Sequence, residues 1–115
     1  MVTSESSQPT EQFPWGRITW LVSGTIAPGT STTFGVVTIE PGQSNPVHLH
    51  PNCEEILYVV SGECDHSLGE EWVHLKPGDA IRVPPNVRHN AVNRGAAPLK
   101  CVVAYSAPDR RTQSA

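Results

Sequence analysis

Four side chains have the chemistry of a transition-metal site: His48, His50, Glu55 and His89. The first three lie in the stretch Gly42-Gln-Ser-Asn-Pro-Val-His48-Leu-His50-Pro-Asn-Cys-Glu-Glu55, and Gly62 follows. The fourth closes Gly78-Asp-Ala-Ile-Arg-Val-Pro84-Pro-Asn-Val-Arg-His89, with Asn93 beyond it. Three imidazole nitrogens and one carboxylate oxygen form a mixed donor set suited to one divalent transition metal: Zn, Mn, Fe, Ni or Co. His48 and His50, two positions apart, share one face of a strand and offer two adjacent ligands. Glu55 adds charge from the next strand. His89, 34 residues further on, closes the site from elsewhere in the chain. A metal so held ties distant segments together and contributes to stability. Four protein ligands also leave roughly one or two positions open on a five- or six-coordinate ion, as a reactive site requires.

The elements that must position these ligands read as short strands. Runs rich in β-branched and alternating residues cover Arg17–Val22, Thr32–Glu40, Val47–His50, Glu55–Val60, Glu63–Leu68, Glu71–Leu75, Ala80–Val83, His89–Asn93 and Leu99–Ser106. Turn signals such as Glu40-Pro-Gly, Ser61-Gly, Lys76-Pro-Gly and Pro84-Pro-Asn separate them. No helical period of any length is present. The expectation is an all-β, antiparallel sandwich or barrel in a single domain over residues 14–107. Residues 1–13 are polar and unpatterned and are expected to be disordered or loosely packed, and 108–115 to form a flexible tail. In Glu55–Val60 both faces are largely apolar, so both need cover. A homodimer is the expected source of the outer cover.

Composition narrows the function. The chain has 115 residues, net charge −3, and no cluster of Lys or Arg. That argues against nucleic-acid and anionic-membrane partners and leaves a small molecule. No apolar run approaches a membrane span. The first residues have neither the basic nor the apolar region of a secretory leader. Cys53, Cys64 and Cys101 are odd in number and lack C-x-x-C spacing, which predicts three free thiols and a cytoplasmic setting.

Other residues compete for roles around the metal. A lone strand histidine such as His66 is more often a surface or core residue than a ligand; if it shares a face with Cys64 and Leu68, it looks into the cavity as a group behind the ligands or as a proton shuttle. Arg82 would orient an anionic substrate if it faced inward, and would be a solvated charge if it faced outward. Tyr105 alternates with Leu99, Cys101 and Val103 and either presents a phenol to the cavity or packs in the core. Glu54 is expected to meet solvent, Cys53 to be a small loop residue, and Trp15, Trp20 and Trp72 to provide packing.

The two segments resemble the paired motifs of the cupin superfamily. The first, a Gly, His-x-His, Glu and Gly at fixed intervals, is matched by Gly42, His48, His50, Glu55 and Gly62. The second, a Gly, Pro-x-Gly, His and Asn, is matched by Gly78, Pro84, His89 and Asn93, with Asn86 standing where the family has Gly. Asn tolerates the left-handed backbone such a turn needs, so the departure costs little. The resemblance implies a double-stranded β-helix, or jelly-roll barrel, with one metal at its mouth and often a homodimer. It implies a metal-dependent protein acting on a small oxygen-rich molecule, such as a keto or hydroxy acid or a sugar derivative, by Lewis-acid chemistry of the isomerase or lyase type. A metal-dependent dioxygenase and a non-catalytic small-molecule binder are the alternatives. In some oxygen-using relatives the Glu55 position suggests a general base.

Overall fold

The computed structural model describes residues 1–115, and the chain forms strands and no helix. In chain order these are β1 (Thr10–Phe13), β2 (Gly16–Val22), β3 (Thr33–Ile39), β4 (His48–Leu49), β5 (Glu55–Ser61), β6 (Cys64–Leu68), β7 (Glu71–Leu75), β8 (Ala80–Val83), β9 (His89–Val92), β10 (Leu99–Tyr105) and β11 (Gln113–Ser114). They build two antiparallel sheets, β1-β2-β3-β10-β5-β8 and β11-β4-β9-β6-β7. All nine strands expected from the sequence are present, with ends displaced by a residue or two.

Alternation in the sequence sets which side chains enter the space between the sheets. On β10, Leu99, Cys101, Val103 and Tyr105 are buried. Their neighbours Lys100, Val102 and Ala104 face the other way and are half-buried. On β5, Glu55, Leu57 and Val59 face inward. The β5–β10 register puts Leu57 beside Val103 and Glu55 beside Tyr105, so the apolar stripe ends on a carboxylate and a phenol. Each fully buried Val or Leu in that stripe contributes about 1.5–3 kcal/mol relative to exposure. The outer face of β5 is uncovered: Ile56, Tyr58 and Val60 are 37%, 44% and 45% exposed.

Both ends depart from the loose tails expected. β1 pairs with β2 at the edge of the larger sheet, and β11 pairs with β4 at the edge of the smaller one. The anchors are polar contacts and aromatic stacking, which hydrophobic patterning does not register. The hydroxyls of Thr10 and Thr19 lie 2.7 Å apart, and the Phe13 and Trp15 rings stack at 4.7 Å. At the other end, the Arg111 N–H donates to Asn52 Oδ1 at 2.9 Å, and Asn52 Nδ2 donates to the Asp109 carbonyl at 2.9 Å.

Two turn positions show why the motif residues are what they are. Asn86 has φ +65°, the left-handed conformation anticipated for it. Gly62 has φ +79°, and a Cβ there would lie 2.5 Å from the Pro98 carbonyl oxygen, so both conformation and space require glycine. Asn93 is fully buried and structural. Its Nδ2 donates to the carbonyls of Ile39 and Ala97 at 3.0 and 2.9 Å, and its Oδ1 accepts from the Gly95 N–H at 3.0 Å.

Candidate metal centre

The four ligand candidates converge. His48 is on β4, His50 immediately follows it, His89 opens β9, and the β4–β9 register sets His48 directly opposite His89. Glu55 comes from the facing sheet. One nitrogen or oxygen from each of the four lies within 4.8 Å of the others. His50, Glu55 and His89 are buried, and His48 is half-buried.

The orientation of the rings decides what they can do. Nδ1 of His48 lies 2.7 Å from the Pro46 carbonyl, that of His50 2.8 Å from the Arg111 carbonyl, and that of His89 2.8 Å from the Val87 carbonyl. A carbonyl oxygen only accepts, so each Nδ1 carries the proton and donates, and each neutral ring keeps its lone pair on Nε2. Nε2 of His50 and of His89 face Glu55 Oε1 at 3.1 and 3.2 Å. Lone pairs then point at a carboxylate from two sides, an arrangement that a shared cation satisfies. The donor set therefore fits a divalent metal, with the backbone carbonyls fixing the ring orientation as outer partners of metal-bound histidines do.

Electrostatics agree. Burial holds the pKa of His48 down at about 4, so its ring is neutral and available as a ligand near neutral pH. Burial favours the neutral form of Glu55, and hydrogen bonds donated by the facing His50 and His89 rings hold its carboxyl far below the usual range. Against its own burial, the bond to Glu55 raises the pKa of His89, so without a metal a proton on Nε2 stands where the cation would sit. A permanently ionised, buried carboxylate among imidazoles supplies the charge a metal dication needs.

Beside this cluster is a cavity of about 240 Å³ between the sheets. His48, Glu55 and His89 line one side, and most of the rest is apolar, including Phe13, Trp15, Ile39, Leu57 and Val103. His66 is buried on the inward face of β6, lines the cavity, and stacks parallel to His89 at 5.9 Å. Its Nδ1–H donates to the Ser67 carbonyl at 2.8 Å, which leaves its second nitrogen unprotonated. Tyr105 is buried in the cavity wall, its ring 5.0 Å from that of His50. Burial raises the pKa of its hydroxyl well above the ordinary value, so it remains a protonated donor.

Arg82 is not among these residues. Strand alternation on β8 sends Ile81 and Val83 inward and Arg82 out, where it pairs with Glu54 at 2.8 Å. Of the two orientations open to it, the structure shows the outward one, so its candidacy as a substrate-facing residue is withdrawn. His74 is likewise outside, between Glu63 and Asp65. Cys53, Cys64 and Cys101 are free and buried, and burial raises the pKa of each thiol, that of Cys64 to about 11.

The terminal segments supply cavity residues that sequence reasoning missed. Phe13 and Trp15 come from the N-terminal hairpin, and Arg110, Thr112 and Ser114 from the C-terminal segment. The Arg110 guanidinium lies 4.6 Å from the Trp20 ring centre and 5.1 Å from that of Tyr105. The Asp109-Arg-Arg run looks like an ordinary charged tail, and only the folded strap reveals that one arginine turns inward.

A jelly-roll of two antiparallel sheets with a three-histidine, one-glutamate cluster opening on an interior cavity defines a β-barrel protein with a candidate metal centre. The chain belongs to the cupin family: the cupin domain model matches residues 35–105. Among known proteins it is 32% identical over 87 residues to the protein SchB of Streptomyces halstedii, covering 76% of this chain and 63% of SchB. It is also 32% identical over 77 residues to the tetracenomycin polyketide synthase protein TcmJ of Streptomyces glaucescens, covering 67% of this chain and 52% of TcmJ. The chain thus spans less than two thirds of either relative. Oxalate decarboxylase from Bacillus subtilis superposes with a TM-score of 0.87 over 96% of this chain and 30% of its own, at 23% identity, a likeness of fold.

Proposed function

We propose that this cupin is a metal-dependent enzyme that acts on a small ketone or on a keto or hydroxy acid by proton transfer, in the manner of an isomerase or lyase. The observation that carries this reading is that His48, His50 and His89 each spend Nδ1–H on a backbone carbonyl, that Nε2 of His50 and His89 faces Glu55, and that one ligand atom from each of the four lies within 4.8 Å of the others. A divalent ion held by these four residues would supply a Lewis acid that polarises a carbonyl or hydroxyl oxygen. The chain's own groups do the rest. Glu55 and His66 are the two candidate proton acceptors. Glu55 is enclosed by two imidazoles, whereas His66 faces the cavity with an unprotonated nitrogen, and burial keeps its pKa low enough for it to be neutral. His66 is therefore placed to take the proton from the carbon next to the carbonyl; the C–H pair becomes a carbon–carbon double bond and the carbonyl π pair moves onto its oxygen. The Tyr105 hydroxyl donates a hydrogen bond at the same end of the cavity. The apolar remainder takes the body of the substrate and excludes water, which favours an acid or ketone with an apolar frame over a sugar. The exposed Ile56, Tyr58 and Val60 face is assigned to a homodimer contact.

Proton exchange in heavy water tests this. Protein carrying its native metal should catalyse deuterium incorporation next to the carbonyl of aromatic ketones and keto acids, with and without oxygen. The His66→Asn variant should lose exchange while keeping its metal. Turnover that consumes oxygen would replace this reading with the dioxygenase one. Ligand-induced thermal stabilisation with no exchange would replace it with a binding module.

A further inference from the structure

The geometry points to Arg110 as the carboxylate-recognising residue of this cavity; the proposal rests on the reading of the cavity as a substrate site and names the chemical class of ligand it takes. Arg110 is the one Lys or Arg side chain that lines the cavity. It forms no ion pair, whereas Arg17, Arg82, Arg94 and Lys100 are each paired with a carboxylate at the surface. Its guanidinium lies over the Trp20 and Tyr105 rings, 4.6 and 5.1 Å from their centres, a contact that itself uses no N–H donor. Its Nε is buried without a hydrogen-bond partner, the only such side-chain atom in the protein. An unpartnered buried donor is costly, and native proteins keep few of them.

A stacked guanidinium with an unsatisfied donor is a fork prepared for a planar, two-oxygen acceptor. The His/Glu cluster lines the same cavity, with Tyr105 between Arg110 and His50, and most of the remaining lining is apolar. The ligand matching these surfaces carries a carboxylate for Arg110, an oxygen for the metal, and an apolar and preferably planar body. Aromatic or unsaturated oxo acids fit this description. A neutral sugar leaves the fork unsatisfied.

The test uses metal-loaded full-length protein, with benzoate as the anionic probe and benzamide as its neutral counterpart. Binding is measured by calorimetry on wild type, Arg110→Gln and Arg110→Lys, with metal content and melting temperature recorded for each. Wild type should prefer benzoate. Arg110→Gln should weaken benzoate by about tenfold or more, the size expected for a charged hydrogen bond, and leave benzamide within about twofold. Arg110→Lys keeps the charge but not the planar fork, and should fall between. Equal weakening of both probes, undiminished benzoate binding in Arg110→Gln, or no benzoate preference in wild type would overturn the assignment. The two readings fail separately: metal content reports on the His/Glu cluster, and discrimination between the probes reports on Arg110, which is not a ligand.

Discussion

His50 links the candidate metal cluster to the backbone. It is buried, its Nδ1–H is satisfied by the Arg111 carbonyl at 2.8 Å, and its Nε2 is aimed at Glu55. His50→Ala should therefore reduce bound metal to a trace and lower the melting temperature of the protein as isolated; the loss should approach about 4 kcal/mol where metal exceeds its dissociation constant about a thousandfold. Metal analysis and a thermal melt of the same sample check this. The four residues that converge were legible in the sequence as candidate ligands because their types and spacing on strands single them out. Tyr105 and His66 were legible as inward-facing candidates for the same reason. Arg82 left two orientations open, since its outward turn depends on which face of β8 meets the core. Arg110 was illegible because a charged tail has no periodicity, and its position depends on stacking against rings far away in the sequence.

At the scale of single elements, turns and hairpins carry their own tests. Asn86 at φ +65° should accept Gly with a stability change of at most a few tenths of a kcal/mol, while Asn86→Val should cost about 1–2 kcal/mol, both read by denaturant unfolding. The β6–β7 hairpin holds a pH-dependent contact. His74 lies 2.8 Å from Asp65 and 2.7 Å from Glu63, and these carboxylates, Asp65 foremost, raise its pKa above 6.5. A raised native pKa means the folded state binds more protons, so the stabilisation is complete below 6.5 and fades as pH rises through the raised value. All three groups are at the surface, so the effect is small and screened by salt. His74→Ala should lower stability on the acid side at low ionic strength and leave it unchanged on the alkaline side. Strand positions followed from alternation and turn residues, whereas β1 and β11 did not, because side-chain hydrogen bonds and one aromatic stack hold them in place.

Two features stand out in the whole molecule: a cavity lined in part by both chain ends, and an apolar strand face left open on the outside. If that face joins two copies, Val60→Asp should shift the protein from dimer to monomer in light scattering without removing metal, because Val60 points away from the cluster. A dimeric Val60→Asp variant would place the interface elsewhere. The central claim is that three imidazole Nε2 atoms and the Glu55 carboxylate, brought from two sheets, hold one divalent ion. Elemental analysis of protein purified without added metal tests this most directly, alongside Glu55→Ala prepared identically. Wild-type protein should carry close to one equivalent of a transition metal per chain, and the variant almost none. Wild-type protein that contains no transition metal and takes up none on incubation with Zn, Mn, Fe, Ni or Co would contradict it.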